Sequence, residues 1–433
     1  MMYKIIELSE QKGFLKWEQY PERLVGCSNL YDEIKVIRDG RDCPCLNFKI
    51  KCETLSYQTS YLVGLDWIVE NKIAAWVKPK MVNGECQIDY MSMLMYALEN
   101  IDNHKHLADL IHIQFDKPYI EVEQKNDDLS LFLVIQLLSL LRKLVQGGLM
   151  RSYYMVTEVL NSRIKGKLLV ERDVKTNRVK GKTTNTCCRY QYYGYDSEEN
   201  RILKKAFVFA CQIVDAGHMC DNASLRSMID YIRPAFANVS DVIEVNRVKY
   251  YKPNPLYPEY GECLRLSQLL LQRHSYSFKP ASKEGVPVVA TPPYWIDMSK
   301  LFELYVYQKL CEQFPSASVK YHERMNYQEL DILFDDNTNA KYVIDAKYKP
   351  KYRDGSVSMS DIRQVCGYAR MRSVYELLKV EQDKIIPSLI IYPTMDGEDL
   401  CRSTFYDKVN AGKDDRYIEL YKCGIKLPIL LNR

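Results

Sequence analysis

The chain has 433 residues, of which 47% are hydrophobic and 27% charged, and its formal net charge is +4 at pH 7. This length exceeds one ordinary hydrophobic core and predicts two or three domains, and the composition excludes a fibrous or disordered protein. Because the net charge is small, it indicates no class of partner, and any basic surface must be local.

Residues 1–95 are predicted to form a small, mostly β module. Apolar and polar residues alternate at 46–52, which is the period of a half-buried strand. Short apolar runs at 61–68 and 73–77 predict further strands, and Asn83-Gly84 predicts a turn.

Residues 96–285 are predicted to form a central helical domain. Apolar residues recur at helical spacing in five segments that begin just before this boundary, at 91–98, 129–145, 153–161, 201–214 and 225–236. The segment 129–145 is the membrane candidate of the sequence. It contains Gln136 and falls short of the roughly 20 apolar residues that a span needs. We therefore predict a helix buried on most sides and no membrane partner.

The stretch 161–195 differs from the helical segments around it. It holds nine Lys or Arg residues against Glu171 and Asp173, a net charge of +7. Segments 168–170 and 189–193 predict two strands that flank a polar turn. Since like charges repel, a contact with phosphates or carboxylates would explain this cluster. A solvated hairpin is the alternative interpretation.

A proline-containing linker at 276–293 leads into a third predicted domain, 286–433, in which helices and strands alternate. Asp297 or Ser299 is predicted to cap a helix, and Ser360 to begin a second one. Strands are predicted at 318–322, 330–334, 341–345 and 388–392. This α-β-β-β-α-β order is the core of the restriction-endonuclease fold. The chain is thus predicted to be an α+β multidomain protein with a C-terminal PD-(D/E)XK nuclease domain.

Asp345 and Lys347 lie two positions apart on one predicted strand, so their side chains point to the same face. Asp331 begins the preceding strand, where a hairpin would place it beside them. Two convergent carboxylates form an oxygen site for Mg²⁺ or Mn²⁺, which polarises a phosphate and lowers the pKa of a bound water. Lys347 would orient that nucleophile or offset charge on the phosphorane. An isolated D-x-K is also common at strand ends with solvated charges, but the upstream Asp favours a catalytic site.

Other residues of this domain are candidates for supporting roles. Glu303, on the first helix, is a candidate metal ligand, either directly or through water. Gln364 and Tyr368 lie one turn apart on the second helix and share a face that could touch the site or a phosphate. The remaining polar residues near the site are interpreted as ordinary strand-edge positions: His322, Glu323 and Glu329.

Four segments resemble the McrC family, the nuclease subunits of McrBC-type modification-dependent restriction systems: LFELYV (301–306), LDILF (330–334), VIDAKYK (343–349) and QVCGYA (364–369). Three upstream segments resemble landmarks of the same family: GGL (147–149), IKGKL (164–168) and NRILKKA (200–206). The resemblance covers roughly 140–395 and leaves 1–95 unmatched. Lys165 and Lys167 stand where Arg-Gly-Arg is more usual, and Leu330 where many members have Pro.

The resemblance implies a subunit that docks on a hexameric AAA+ GTPase or ATPase and stimulates its nucleotide hydrolysis. The partner would bind GTP or ATP and recognise double-stranded, modified DNA. This chain has no G-x-x-x-x-G-K-[ST] loop, so it is not itself a P-loop NTPase. The basic stretch becomes a candidate for contact with the partner's pore or with DNA, through Lys165, Lys167, Lys175, Arg178, Lys180 and Lys182.

Two alternative functions remain open from the sequence. The chain could be chiefly a structural activator of the motor with a weak or vestigial nuclease, or it could be a stand-alone repair or mobile-element nuclease. Its 14 cysteines include no C-x-x-C pair and predict neither a disulfide framework nor a zinc site. Together with the lack of a signal-peptide pattern, they favour a bacterial or archaeal cytoplasm.

Overall fold

The computed structural model describes most of the chain, namely residues 4–13, 15–16, 33–38, 41–51, 54–79, 81–82, 86–98, 103, 106, 110–114, 116–123, 128–216, 223–243, 258–276, 288–325, 328–336, 340–349, 352, 357–394 and 399–431. The chain forms two compact units, one from 1–120 with 291–433 and one from 121–290. The segments predicted as an N-terminal module and a C-terminal domain therefore share one unit.

The first unit begins with ten strands and one helix among its described residues. Their bounds are β1 Lys4–Ser9, β2 Leu15–Lys16, β3 Glu33–Arg38, β4 Arg41–Lys51, β5 Thr54–Thr59, β6 Leu62–Val69, β7 Ile73–Lys78, β8 Met81–Val82, β9 Cys86–Ile88, α1 Tyr90–Ala97 and β10 Ile111–Ile113. The strands predicted at 46–52, 61–68 and 73–77 are confirmed. The predicted turn at Asn83-Gly84 lies outside the described residues.

The second unit contains most of the helices of the central segment. Its elements are β11 Ile120–Glu123, α2 Asp128–Gly147, β12 Ser152–Asn161, β13 Lys167–Leu168, α3 Val170–Asp173, β14 Asn185–Gly194, α4 Glu198–Ala216, α5 Ala223–Ile232, α6 Pro258–Tyr276 and β15 Val288–Thr291. A π-helical turn, Val174–Arg178, continues α3, and a 3₁₀ turn, Arg233–Phe236, continues α5.

The chain then returns to the first unit for its remaining elements. These are β16 Tyr294–Asp297, α7 Met298–Gln313, β17 Val319–Met325, β18 Gln328–Asp335, β19 Lys341–Ala346, α8 Met359–Tyr368, α9 Arg372–Leu378, β20 Ser388–Thr394, α10 Arg402–Ala411, β21 Leu420–Lys426 and β22 Ile429–Leu431. The strands predicted at 318–322, 330–334, 341–345 and 388–392 are all present. The helix α10 and the strand β21 were not predicted.

One five-stranded sheet joins the two ends of the first unit, in the order β1-β7-β6-β16-β10. The strand β6 is buried along its whole length, as its run of apolar residues requires. Gly64 lies against β16 so closely that a Cβ there would meet the carbonyl oxygen of Tyr294 at 2.1 Å, so only glycine fits. The next residue after β16 begins α7, and Asp297 caps that helix by accepting from the N–H groups of Ser299 and Lys300, each at 3.0 Å.

A second five-stranded sheet has the order β17-β18-β19-β20-β21. The pairs β17–β18 and β18–β19 are antiparallel, and the pairs β19–β20 and β20–β21 are parallel. The central strand β19 is buried from Tyr342 to Ala346, because both faces of the sheet are covered. This sheet therefore holds the end of β19, with Asp345, in the interior.

The predicted second helix of this region needs two corrections. Ser358, not Ser360, is the N-cap, since its side chain accepts from the N–H of Asp361. The helix that was predicted to begin at Ser360 is followed by a second one: α8 ends at Tyr368, and α9 begins at Arg372 because the backbone of Met371 is extended.

In the second unit, α2 packs against α4, α5 and α6. Among the described helices, the part of α2 from Leu129 to Gly147 is long and apolar enough to cross a membrane. In its 18-residue apolar stretch, 56% is buried inside the protein. Core helices of globular proteins meet the same criteria. Gln136 is buried within this helix.

The residues 152–194 form a two-stranded antiparallel ribbon, extended by a short third strand, which we name the arm. The prediction of a helix at 153–161 is wrong: these residues form β12 and pair with β14 along ten positions. A pattern of β-branched and aromatic side chains on a largely exposed strand produced apolar spacing that imitates a helix. At about 3.4 Å per residue the ribbon is roughly 30 Å long.

The tip of the arm is helical where the sequence predicted a turn. The predicted strand at 168–170 is limited to β13, Lys167–Leu168, and α3 with its π turn comes next. The buried Asp173 organises this tip. Its Oδ1 accepts from the Asn177 side chain at 2.7 Å and from the N–H of Cys187 at 2.8 Å, and its Oδ2 accepts from Arg178 at 3.2 Å. The Asn177 bond is the largest of the effects that lower the pKa of Asp173.

Candidate functional site

Three adjacent strands place His322, Asp331 and Asp345 at one level of the second sheet. The pair Ile332–Ile344 is the last in the β18–β19 ladder, and the next residues along the two strands are Asp331 and Asp345. On the other side of β18, the pairs Tyr321–Ile332 and Glu323–Leu330 flank His322, which therefore stands opposite Asp331. The sequence prediction that Asp331 and Asp345 lie side by side thus matches the arrangement of the strands.

The hydrogen bonds of the site leave one carboxylate oxygen without a partner. Lys347, just beyond the end of β19, donates from Nζ to Oδ1 of Asp345 at 2.9 Å. The N–H of Ala346 donates to Oδ2 of Asp331 at 2.9 Å. Asp345 is 1% exposed, and its buried Oδ2 has no hydrogen-bond partner among the described residues. An unsatisfied buried carboxylate oxygen is costly and marks a place where a cation or water would bind.

The electrostatics of this cluster are those of crowded negative charge. Burial raises the pKa of Asp331 well above its ordinary value, and the neighbouring Glu303 and Asp345 raise it further. Burial also raises the pKa of Asp345, against the opposing effect of Lys347. For Lys347, burial alone would lower the pKa, but the charges of Asp345 and Asp331 outweigh it and raise the pKa. Lys347 therefore stays protonated, and the carboxylates favour a cation beside them.

Glu303 lies near these carboxylates but is engaged elsewhere. Its Oε2 is 3.3 Å from Nε2 of His322, whose other ring nitrogen is 3.3 Å from Oε1 of Glu329. His322 has a left-handed backbone, with φ of 53°, at the position opposite Asp331. His322 and Glu329, interpreted from the sequence as ordinary strand-edge residues, thus contact each other, and the imidazole also contacts Glu303 beside the candidate site. The hairpin register, counted outwards from the turn, was the signal that could have identified His322.

The donor set fits a cation that needs few protein ligands. Within the described part of the chain, no group of three or more His, Cys, Asp or Glu side chains is arranged to hold a metal ion. Mg²⁺ is commonly held by one or two carboxylates, with water and substrate phosphates completing its octahedron. Asp331 and Asp345, with the unpartnered Oδ2, fit that requirement. Glu303 forms no third direct ligand in this arrangement.

Gln364 and Tyr368 are adjacent, as predicted, on α8. Gln364 donates to the Tyr368 hydroxyl at 3.0 Å, so the described contacts of the pair join them to each other rather than to the carboxylates. A different residue of α8 is connected to the end of β19. Lys349 donates to Oδ2 of Asp361 at 2.6 Å, and the hydroxyl of Tyr352 donates to the same oxygen.

The six cations singled out on the arm are all exposed, and they differ in their partners. Lys175 pairs with Glu171 at 2.6 Å, and Arg178 pairs with Asp173. Lys165 lies over the ring of Tyr190, with Nζ 4.1 Å from its centroid. The remaining three have no carboxylate partner among the described residues: Lys167, Lys180 and Lys182.

Comparison with known proteins identifies one family. The family model described as "McrBC 5-methylcytosine restriction system component" matches residues 69–393. No curated protein matches the chain. Two solved structures from Thermococcus gammatolerans are similar to it. A refined half-complex of McrB AAA+ hexamers with bound McrC has 14% identity and a TM-score of 0.41, covering 98% of this chain and 94% of that one. The cryo-EM structure of the McrBC complex has 13% identity and a TM-score of 0.29, covering 72% and 88%.

Proposed function

This chain belongs to the McrBC family of 5-methylcytosine restriction system components, and we propose that it is the metal-dependent DNA endonuclease subunit of such a system. The observation that carries the proposal is the pairing of Asp331 and Asp345 on neighbouring strands, with Lys347 bonded to one of them and a carboxylate oxygen left unsatisfied. An α+β unit with this sheet order and this acid pair suits a PD-(D/E)XK nuclease.

Asp331 and Asp345 are the residues that would hold Mg²⁺ or Mn²⁺. When bound, the cation polarises a phosphodiester and lowers the pKa of a coordinated water. Glu303 would act through a water molecule, with His322 fixing its orientation by the 3.3 Å contact. The N–H of Ala346 holds Asp331 in position.

The charge state of Lys347 limits the roles that this residue can have in the mechanism. Since the surrounding carboxylates raise its pKa, its ammonium group stays charged and cannot accept a proton from water near neutral pH. It would instead bind a non-bridging phosphate oxygen and offset the charge that develops on phosphorus. A charged ammonium can also orient the attacking water by donating to it, so both roles that the sequence left open for Lys347 are kept in the proposal.

Metal removal tests the nuclease assignment directly. The full chain, combined with its AAA+ partner and nucleotide, is expected to cleave duplex DNA with Mg²⁺ and to lose cleavage in EDTA. Added Mg²⁺ should restore the activity, and Ca²⁺, which prefers more ligands in looser geometry, should restore little. Because chelation also removes the partner's nucleotide-bound Mg²⁺, nucleotide-independent nicking of supercoiled DNA in Mn²⁺ is the control. Cleavage that persists after complete chelation would contradict the proposal.

We also propose that the chain docks on a hexameric AAA+ GTPase or ATPase of the McrB type and stimulates it. The nucleotide would be bound by that partner, and the substrate would be double-stranded modified DNA. The arm supports this part of the proposal. It is a ribbon roughly 30 Å long, and its tip exposes apolar side chains beside the cations, with Val170 63% and Val179 77% exposed. Exposed apolar and basic groups together are typical of a surface that a partner covers.

Removing charge from the arm tests its contact with a partner. The double variant Lys180→Ser and Lys182→Ser is expected to lower the partner's stimulated NTPase rate several-fold, because both cations are exposed and pair with no described carboxylate. Arg178 is kept, since it supports Asp173 and hence the fold of the tip. The matched control is Lys4→Ser with Lys72→Ser, two exposed lysines on the other unit.

DNA binding separates two forms of this proposal. If the arm contacts the partner protein, DNA affinity of the isolated chain should be unchanged in the double variant. If it contacts DNA phosphates, the salt dependence of DNA binding should become shallower by about two phosphate contacts. A double variant that stimulates, binds and cleaves like the wild type would leave the arm as a solvated ribbon.

A further inference from the structure

A cavity of about 420 Å³ opens beside Lys347 in the first unit. Its wall consists of three chain segments and one helix start: Gln11, Lys12, Gly13, Gln58, Thr59, Ser60, Tyr61, Ser299, Lys347, Tyr348 and Lys349. The first seven of these residues belong to the N-terminal β segment, to which the sequence assigned no function. The described lining holds three lysines and no acidic residue, so the cavity suits an anion.

The N-terminal part of the wall is bonded to the chain segment that carries Lys347. Gln11 donates from its side-chain amide to the carbonyl oxygen of Tyr348 at 3.0 Å, and the Tyr348 hydroxyl donates to Glu10 at 2.8 Å. Gln11 adopts a left-handed backbone with φ of 54°, although it is not glycine. Such strain persists where surrounding contacts fix it, and here a glycine could not supply the amide that reaches Tyr348.

Backbone bonds hold the two N-terminal loops against each other. The N–H of Gln11 donates to the carbonyl of Ser60 at 2.7 Å, and the N–H of Thr59 donates to the carbonyl of Lys12 at 3.1 Å. The Thr59 hydroxyl accepts from the N–H of Lys12 at 3.0 Å. The wall is therefore preorganised rather than assembled when a ligand arrives.

The three lysines of the cavity differ in how their charge is balanced. Lys347 pairs with Asp345, and Lys349 pairs with Asp361. Lys12 is partly exposed, and no described residue offers it a carboxylate. The charge left for an incoming anion is therefore that of Lys12. The side-chain amide of Gln58, which forms no hydrogen bond with another described residue, can donate beside it.

We propose that this cavity is a DNA-backbone subsite, in which Lys12 and Gln58 bind a phosphate of the strand whose neighbouring phosphate lies at Asp331 and Asp345. The inference rests on the proposed nuclease function and deepens it. Lys347 is shared by the carboxylate site and the cavity, since it contacts Asp345 and also lines the cavity. Successive phosphates of one DNA strand are about 3.4 Å apart along the helix axis. A DNA strand that contacts Lys347 would therefore place its next phosphate in the cavity. The N-terminal segment would thus position substrate for the carboxylates.

The test compares Lys12→Ala with Lys72→Ala in the full chain. Lys72 is an exposed lysine at the far end of β6, roughly 25 Å along the strand from the cavity. Affinity for a short DNA duplex is measured over a range of salt concentrations. Lys12→Ala is expected to weaken binding about three- to tenfold and to reduce the salt slope by about one, as for the loss of one phosphate contact. Lys72→Ala should match the wild type.

A second measurement locates the contact within the unaltered protein. Reaction of lysine amines with an acylating reagent is followed by mass spectrometry, with and without the duplex. DNA should protect Lys12 and leave Lys72 reactive. Equal binding by Lys12→Ala and wild type, or an unprotected Lys12, would overturn the inference. Protection by free GTP but not by the duplex would also overturn it, because the cavity would then be a nucleotide site.

Cleavage by the wild-type complex is assayed in parallel on the same DNA. If the wild type does not cleave, the proposed nuclease function is refuted regardless of the result for Lys12→Ala. If the wild type cleaves and Lys12→Ala binds and cleaves unchanged, only the subsite is refuted. At subsaturating DNA, cleavage by Lys12→Ala should slow by about the same factor as its loss of DNA affinity, because the lost phosphate contact lowers kcat/KM.

Discussion

A chain carrying Asp345→Asn is expected to assemble with its partner and to cleave DNA at least about a thousandfold more slowly than the wild type. Asn has nearly the volume of Asp, so the buried position at the end of β19 stays filled. It lacks the negative charge that a divalent cation requires, and several kcal/mol of transition-state stabilisation disappear with the metal. Each loss of about 1.36 kcal/mol corresponds to a factor of ten in rate.

The measurement is single-turnover cleavage of duplex DNA by the full complex, with the partner's NTPase rate recorded in the same mixture. Asp335→Asn is the matched control, because Asp335 lies on β18 like Asp331 but pairs with Lys341. The NTPase rate should remain near that of the wild type in both variants. Full cleavage by Asp345→Asn would refute the nuclease site. A variant that loses both NTPase stimulation and cleavage would indicate damaged assembly instead.

The Asp331→Asn variant is expected to lose cleavage and yet to be more stable than the wild type when metal is absent. The pKa of Asp331 is raised in the folded chain, so the folded state binds a proton more tightly than the unfolded state does. Stability of the metal-free wild type should therefore fall as the pH rises from the ordinary value of 3.8 through the raised pKa. Asn removes the charge and keeps an oxygen that can accept from the N–H of Ala346.

Thermal unfolding in EDTA at several pH values measures this effect. A gain of about 1 kcal/mol near neutral pH would raise Tm by roughly 2–4 °C in a domain of this size. Added Mg²⁺ should raise Tm of the wild type by binding the folded state, and leave Asp331→Asn unchanged. The interpretation of crowded carboxylates would be refuted by a variant that is less stable than the wild type in EDTA.

Local patterns in the sequence were sufficient for four of the five strands in the sheet that carries the carboxylates, and the edge strand β21 was not predicted. The apolar run before Asp345 makes a strand, and the D-x-K spacing fixes which residues meet at its end. Both signals operate within about ten residues, where the strand period governs side-chain direction. The meeting of Asp345 and Lys347 could therefore be predicted from the sequence. The place of Asp331 beside them followed from the predicted hairpin, and the family followed from the resemblance of several motifs.

Two features of the fold show where local patterns are insufficient. The segment 153–161 has apolar residues that fit a helix as well as a strand, and only its pairing with β14 decides between them. The division into three domains also depended on local composition. β6 pairs with β16, for example through Leu65 and Tyr294. These residues lie so far apart in the chain that no local sequence pattern includes both.

For the same reason, the contact between the N-terminal segment and the segment that carries Lys347 could not be predicted. Nothing near Gln11 or Lys12 in the sequence indicates that Tyr348 lies beside them, because that contact depends on the closure of the first sheet by β16. The position of His322 opposite Asp331 was not predicted either, because its interpretation as a strand-edge residue did not use the hairpin register.

The discontinuity of the first unit imposes an order on protein synthesis. When β1, β6 and β7 leave the ribosome, the edge of β6 that will receive β16 has no neighbour, and it stays open until all of 121–290 has been made. An open, apolar strand edge can pair with other strands, so nascent chains are exposed to aggregation during this interval. Asp331 and Asp345 emerge later still, after β16. A chain interrupted before residue 331 thus lacks all three residues of the proposed site: Asp331, Asp345 and Lys347.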